Sequence, residues 1–391
     1  MGVGLGERWH MRIGVLAPPW LAVPPSAYGG TESVVDALAR GIAAAGHEVL
    51  LWTVGESRCP VPRGYLYERA RTGDMGLASV ELPHVLAGYA AFERWGADLV
   101  HDHSVCGPLV APSVSRVRVV TTNHNRFDPG SNLVYRACAD HVSIVAISHD
   151  QADHAEGVPI SAVIHHGIDV DAYPVGDGLG DANGPYVLCL ARMAPEKGVH
   201  RAARIARRAG MRLLIAAKMH SVAERRYFHE VVEPLLGGGV EHLGEVGPRQ
   251  KVRLLAGASA LLNPIAWPEP FGLAMVEALA CGTPVVAPAI GSVREVVDDG
   301  VTGYVCPIEN ELRQNADDHV QVDGLDGPLR TDETVMVQRL MELDRLDRRS
   351  CRRVAQERFS TARMVSDHLA LYERVLASEP DRGGRLAGEA A

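Results

Sequence analysis

Two carboxylates, Glu269 and Glu277, stand with seven residues between them in the run Pro268-Glu-Pro-Phe-Gly-Leu-Ala-Met-Val-Glu-Ala-Leu-Ala-Cys-Gly-Thr-Pro284. This run reads as a loop entering a helix. Glu269 lies before the helix, Gly282 suits the left-handed residue that ends it, and Pro284 blocks its continuation. The first amides of such a helix, those of Phe271, Gly272 and Leu273, have no intrahelical acceptor and sit at the positive end of the helix dipole. Glycine there lets a ligand come close. The spacing predicts an anion-binding turn flanked by two carboxylates; the plain alternative is a helix-start Glu that suits the dipole beside a solvated Glu. A second cluster, Ala191-Arg192-Met-Ala-Pro-Glu-Lys197-Gly, follows an apolar run. Arg offers planar, two-pronged phosphate contacts and Lys a compact charge, so together they could neutralise a departing pyrophosphate. Surface ion pairing competes with this reading. Lys197 weighs toward the first, because the chain carries 36 arginines and only three lysines.

The first half offers weaker signals. In Ala17-Pro-Pro-Trp-Leu-Ala-Val-Pro-Pro-Ser-Ala-Tyr-Gly-Gly-Thr-Glu32, Thr31 suits a helix N-cap, and Gly29 and Gly30 either admit a ligand close to the backbone or simply punctuate a turn. The glycines at 2, 4 and 6 precede the first strand, so they lack the context of a dinucleotide fingerprint. His101-Asp102-His103 ends one strand and Thr121-Thr-Asn123-His124-Asn125 ends the next. Alternation puts His101 and His103 on one side, where with Asn123 they read as a polar, acceptor-side rim to a cleft. No further ligand set with metal spacing accompanies them, so no metal is expected. His165 and His166 are either a turn pair or ligand contacts. Arg201, Arg204 and Arg208 share one helical face, read as solvated.

These groups need elements to hold them. Short apolar runs alternate with amphipathic segments, the pattern of parallel sheets crossed by helices. Strands are expected over Arg12–Ala17, Val49–Val54, Leu99–His101, Val117–Thr122, Ser143–Ile147 and Ala162–His165, with a helix over Ser33–Ala45. The pattern restarts with strands over Tyr186–Leu190, Arg212–Ala217, Ala260–Asn263, Pro284–Pro288 and Gly303–Cys306, and helices near Val199–Ala209, Gln250–Ala256 and Gly272–Cys281. A length of 391 residues exceeds what one core usually supports, so two domains follow: 11–173, a linker over 174–185, and 186–358. A C-terminal helix over 359–376 could pack back on the first domain, and 377–391 reads as a disordered tail. The fold class is α/β, with two doubly wound, Rossmann-like domains facing across a cleft, and ligands are expected at the strands' carboxyl ends. Residues 309–333 read as a polar excursion. The start carries no signal-peptide pattern, and Met11 could be the true start. A net charge of −9 speaks against a nucleic-acid partner, and no apolar run is long enough for an integral membrane segment. Seven cysteines without a Cys-x-x-Cys pair point to a reducing cytoplasm.

Over about Met11 to Tyr372 the chain resembles the retaining glycosyltransferases of family 4, a group with the GT-B fold that includes sucrose-phosphate synthases and bacterial mannosyltransferases. The resemblance rests on Glu269 and Glu277, on Ala-Cys-Gly-Thr-Pro-Val-Val-Ala after them, on Gly291-Ser-Val-Arg-Glu295-Val-Val-Asp-Asp-Gly-Val-Thr-Gly303, and on Arg192 and Lys197. It implies that Glu269 holds sugar hydroxyls, Glu277 the ribose, and Arg192 and Lys197 the diphosphate of a nucleoside-diphosphate sugar, a co-substrate with no further cofactor. Gly29 and Gly30 match the glycine loop near the distal phosphate, and His124 a histidine beside the donor sugar. Ala191 and Ser292 stand where many members have glycine. The opening phrase Pro24–Glu32 and Val100-His-Asp-His-Ser104 look like bacterial members that modify small molecules or envelope components. A nucleotide-sugar epimerase of the same fold, or a non-catalytic nucleotide-sugar binding subunit, would carry the same nucleotide grip.

Overall fold

Runs such as Arg-Ile-Gly-Val-Leu and Leu-Leu-Ile-Ala-Ala-Lys are apolar on both sides, as a parallel sheet covered by helices on both faces demands. In a computed structural model, which describes residues 10–27, 29–308 and 333–378, two such sheets form. The first comprises β1 (Arg12–Leu16), β2 (Glu48–Thr53), β3 (Arg63–Tyr65), β4 (Leu99–Asp102), β5 (Arg118–Thr122), β6 (Val142–Ala146) and β7 (Ile160–Val163), in the order β3-β2-β1-β4-β5-β6-β7. The second comprises β8 (Val187–Arg192), β9 (Leu213–Lys218), β10 (Val240–Gly244), β11 (Ala260–Leu262), β12 (Val285–Pro288) and β13 (Gly303–Cys306), in the order β10-β9-β8-β11-β12-β13. Every pairing between these strands is parallel. Strand order reverses between β1 and β4 and again between β8 and β11. Crevices open at those switch points, beyond the strands' carboxyl ends.

Expected strands are present with ends shifted by a residue or two, but β3 and β10 had no counterpart in the reading. Both are edge strands, half exposed and without an apolar run, so periodicity does not mark them. Thr31 is not an N-cap: the helix Gly30–Ala44 starts earlier, with Gly29 at its cap and no side chain on its first amides. The arginine face is solvated at Arg204 and Arg208 but not at Arg201. All three converge on Glu333, and Arg201 is buried against it. Residues 309–332 of the expected excursion over 309–333, and 379–391 of the expected tail over 377–391, lie outside the described residues; Glu333 starts a helix and Ala377 ends one.

The helix Thr361–Ala377 joins the first sheet's core, although it ends the described chain. Met364, Val365, Leu371 and Tyr372 are buried with Ile13, Val35, Leu38 and Ile42. It lies so close to the helix Gly30–Ala44 that a Cβ on Gly41 would collide with Val365. Glu295 ties the two halves at another point. Its carboxylate accepts from the amides of His149 (2.7 Å) and Asp150 (2.8 Å) at a helix start of the first half, and from His165 Nε2 (2.7 Å). Burial raises its pKa, but those donors outweigh burial and leave it lowered.

Because Leu371 fills the first sheet's core, Leu371→Ala should cost roughly 2–5 kcal/mol. Hydrogen exchange should then quicken in β1 and the helix Gly30–Ala44 while the second sheet stays protected. Even loosening across both sheets would contradict the assignment of this helix to the first core.

Candidate active site

The two switch points face one cavity of about 340 Å³. The first half contributes Gly29, Gly30 and Thr31 from the loop after β1, His124 after β5, and His166. The second contributes Arg192 and Lys197 after β8, Lys218 at the end of β9, Lys251, and Glu269 through Met275 with Glu277 after β11. Two helices therefore point their first turns at the same space from opposite halves. Neither has a side-chain cap: Gly29 precedes one and Gly272, at φ +83°, precedes the other. The second starts at Leu273, a residue later than spacing predicts, so the unpaired amides move to Leu273 and Ala274. The ring of Phe271 is buried, 5.1 Å from that of His166, and only part of the residue reaches the cavity. Ser292, in place of the frequent glycine, donates its hydroxyl to the Phe271 carbonyl at 2.6 Å and so pins the loop.

Both carboxylates are held in the same manner. Glu269 Oε2 takes Lys197 Nζ and the indole N–H of Trp267 (3.1 Å), and the ammonium lies 4.8 Å from the Trp267 ring centre. Glu277 Oε1 takes Lys251 Nζ at 2.5 Å and the Tyr173 hydroxyl at 2.9 Å. In each case one oxygen is committed to a lysine and an aromatic donor, and the other has no partner among the described residues. Arg192, beside Lys218 in the β8–β9 register, is steadied by Glu196 (2.8 Å) and Glu224 (3.7 Å). Burial pushes the Glu224 carboxyl up, but the amides of Ser221 and His220, together with Arg192, outweigh it and leave it lowered. The four cations on the cavity wall are thus Arg192 and every lysine in the sequence. Lys218 and Lys251 had escaped the reading, although lysine's rarity was the signal that could have found them.

His101, His103 and Asn123 do not form a rim. All three are buried behind the wall, because β4 and β5 are central strands covered on both faces. They form a stack instead. His101 bonds Tyr372 (2.6 Å) and Thr122 (2.7 Å), the His101 and His103 rings lie 4.1 Å apart, and His103 Nδ1 meets His124 Nε2 at 2.9 Å. His124 lies 5.1 Å from His166, and His368 packs on His101 at 5.1 Å. Burial, reinforced by the neighbouring imidazoles, holds His101, His103 and His166 well below the usual histidine range. Burial also takes His124 to about 3 and His368 to about 4, so the stack is uncharged near neutrality. Among the described residues no group of three or more His, Cys, Asp or Glu side chains could hold a metal ion.

Two doubly wound parallel sheets that share one cavity define an α/β architecture of two Rossmann-like halves. Residues 28–172 match the sequence family described as Glycosyltransferase Family 4, and residues 178–317 match Glycosyl transferases group 1. These matches span most of the chain, which belongs to the group 1, family 4 glycosyltransferases and has their GT-B architecture. It is 26% identical over 72% of its length to a glycogen synthase of Mycobacterium tuberculosis, covering 80% of that protein. It is also 26% identical over 94% of its length to a phosphatidyl-myo-inositol mannosyltransferase of that species, covering 98%. Its fold matches AviGT4, a glycosyltransferase involved in avilamycin A biosynthesis, with a TM-score of 0.69 at 24% identity, over 94% of this chain and 99% of that one.

An amine-directed acylating reagent has three side chains to modify here, Lys197, Lys218 and Lys251. A nucleoside diphosphate at about 100 times its dissociation constant leaves about 1% of sites open, so it should suppress labelling of all three. Peptide mass mapping reads the result. Equal labelling with and without nucleotide would move the phosphate site elsewhere.

Proposed function

We propose that this glycosyltransferase moves a sugar from a nucleoside-diphosphate sugar to a small-molecule or cell-envelope acceptor, with retention of anomeric configuration and without a metal ion. The observation that carries this reading is the pair of half-committed glutamates on either side of an uncapped helix start. An anion bound at that start would have Glu269 on one side and Glu277 on the other, each offering one open oxygen to hydroxyl groups. That suits a donor whose diphosphate lies between a sugar and a ribose. The two relatives' names point to different acceptors, a polysaccharide and a phosphatidylinositol, so the proposal stays with the class. All seven cysteines are unpaired, which supports a reducing, cytoplasmic setting.

A glycosidase sets two carboxylates across the scissile bond as acid and base or nucleophile. Here both are tied to ammonium groups, which suits binding. The hard step is departure of the diphosphate. The bond from the anomeric carbon to the diphosphate oxygen breaks while Arg192, Lys197 and the helix amides stabilise the charge that develops. The acceptor oxygen bonds to the same face of the anomeric carbon and gives its proton to the departing phosphate. Such neutralisation by fixed cations predicts turnover that survives EDTA. Loss of rate restored by magnesium or manganese would overturn the metal-free mechanism.

The two glutamates should separate in experiment. Glu277→Gln should weaken free nucleoside diphosphate and intact donor alike, by roughly 1–3 kcal/mol, because each carries the ribose. Glu269→Gln should leave nucleoside diphosphate bound almost normally and lower turnover of the donor, whose sugar loses its reactive geometry. Calorimetry and initial rates decide. Equal weakening of nucleoside diphosphate by both variants would refute this division of labour.

A further inference from the structure

His124 reaches the cavity from the first half and matches, by resemblance, a histidine beside the donor sugar, so what it can do there depends on which ring nitrogen carries its proton. An uncharged imidazole has one donor and one acceptor. If a hydrogen-bond donor faces the cavity, it can donate to a sugar oxygen and stabilise developing negative charge; if a lone pair faces it, the ring can only accept from a hydroxyl and disfavours negative charge.

His124 Nε2 is turned inward to His103 Nδ1 at 2.9 Å, which leaves Nδ1 as the nitrogen available to the cavity. The inner contact can be made in two ways. If His124 Nε2 donates, His103 must carry its own proton on Nε2. That nitrogen is buried and has no partner, so a bare N–H would be stranded in the protein. If His103 Nδ1 donates instead, its Nε2 keeps only a lone pair. A buried orphan donor is rarer and costs more than an under-used acceptor. The neighbouring rings do not reverse this preference. His101 spends both nitrogens on Tyr372 and Thr122. His368 places Nδ1 on the Met364 carbonyl at 2.8 Å, which calls for a donor there and leaves its own Nε2 a buried lone pair.

We infer that His103 is a positioning residue. Through its Nδ1–H it fixes His124 in the Nδ1–H tautomer, so that His124 presents a hydrogen-bond donor to the cavity. Asp102, between the two histidines of β4 and its exit, is spent elsewhere, accepting from Tyr89 and Ser104. The donor's use on a bound sugar rests on the proposed function; the tautomer itself does not.

The test keeps the two apart. Long-range ¹H–¹⁵N spectra of the full-length protein labelled in histidine, without nucleotide, report which nitrogen of His124 is protonated. Three variants are compared, each checked by thermal melting. His103→Asn carries its amide nitrogen at the Nδ1 position and should preserve the His124 Nδ1–H signal. His103→Gln pushes the amide to the Nε2 position, and His103→Leu removes it; both should lose that signal. In turnover, Gln and Leu should lower kcat on the order of 10- to 100-fold with little change in KM for the donor, while Asn recovers most of it. An Nε2–H tautomer in the unsubstituted protein overturns the inference even if the enzyme turns over normally. So does an Nδ1–H tautomer that persists in His103→Leu. If the spectra behave as stated but no nucleotide sugar is consumed by any form, the tautomer assignment stands and the proposed function fails. Should His103→Leu not fold, the unsubstituted spectrum and the Asn–Gln pair still decide.

Discussion

Lys197 and Glu269 leave different strands, β8 and β11, and meet across the crevice where strand order reverses. Stripping both charges of water costs several kcal/mol per ion, so such a pair adds little to stability by itself. What it fixes is position. The indole of Trp267 supports both partners, donating to the carboxylate and lying beside the ammonium. With one oxygen engaged, Glu269 does not fold back to cap the helix that follows, and no side chain covers its first turn. Lys251 and Tyr173 hold Glu277 in the same way on the far side. The whole cavity wall after β11 depends on these two compensated carboxylates.

The chain divides its cations by task. Arginines bolt backbone carbonyls together: Arg348 reaches those of Gly176, Ala256 and Ala258, Arg352 those of Val170, Tyr173 and Ala280, and Arg363 those of His165 and His166. A planar fork with five donors can satisfy several fixed acceptors at once. Each of these bolts joins residues far apart in sequence, across the linker or between the last helices and the first half. The compact ammonium is kept for the cavity, where Lys197 and Lys251 each hold a glutamate.

Local pattern carried the strands well, because a parallel sheet buried on both faces leaves long apolar runs, and it carried the start of the helix after Glu269 to within one residue through Gly, Pro and Glu in fixed order. It said little about depth. Alternation put His101 and His103 on one side of β4, but only the sheet order reveals that β4 is central and both faces are covered. Partners distant in sequence were invisible for the same reason. The pairing of Arg201, Arg204 and Arg208 was missed because Glu333 closes the polar excursion, and Lys251 looked like an ordinary helix residue until the fold set it on Glu277. Edge strands β3 and β10 escaped because half-exposed backbone needs no hydrophobic run.

The helix Thr361–Ala377 closes the core that Ile13 opens. During synthesis the first half therefore leaves the ribosome with that part of its hydrophobic face uncovered, and the helix that covers it is made only after the second half. The intervening second half takes about 10–40 s to translate at 5–20 residues per second. Over that interval the two halves cannot mature in the order in which they emerge. The second sheet can complete its own pairing first, and the earlier sheet is sealed only when the helix Thr361–Ala377 arrives.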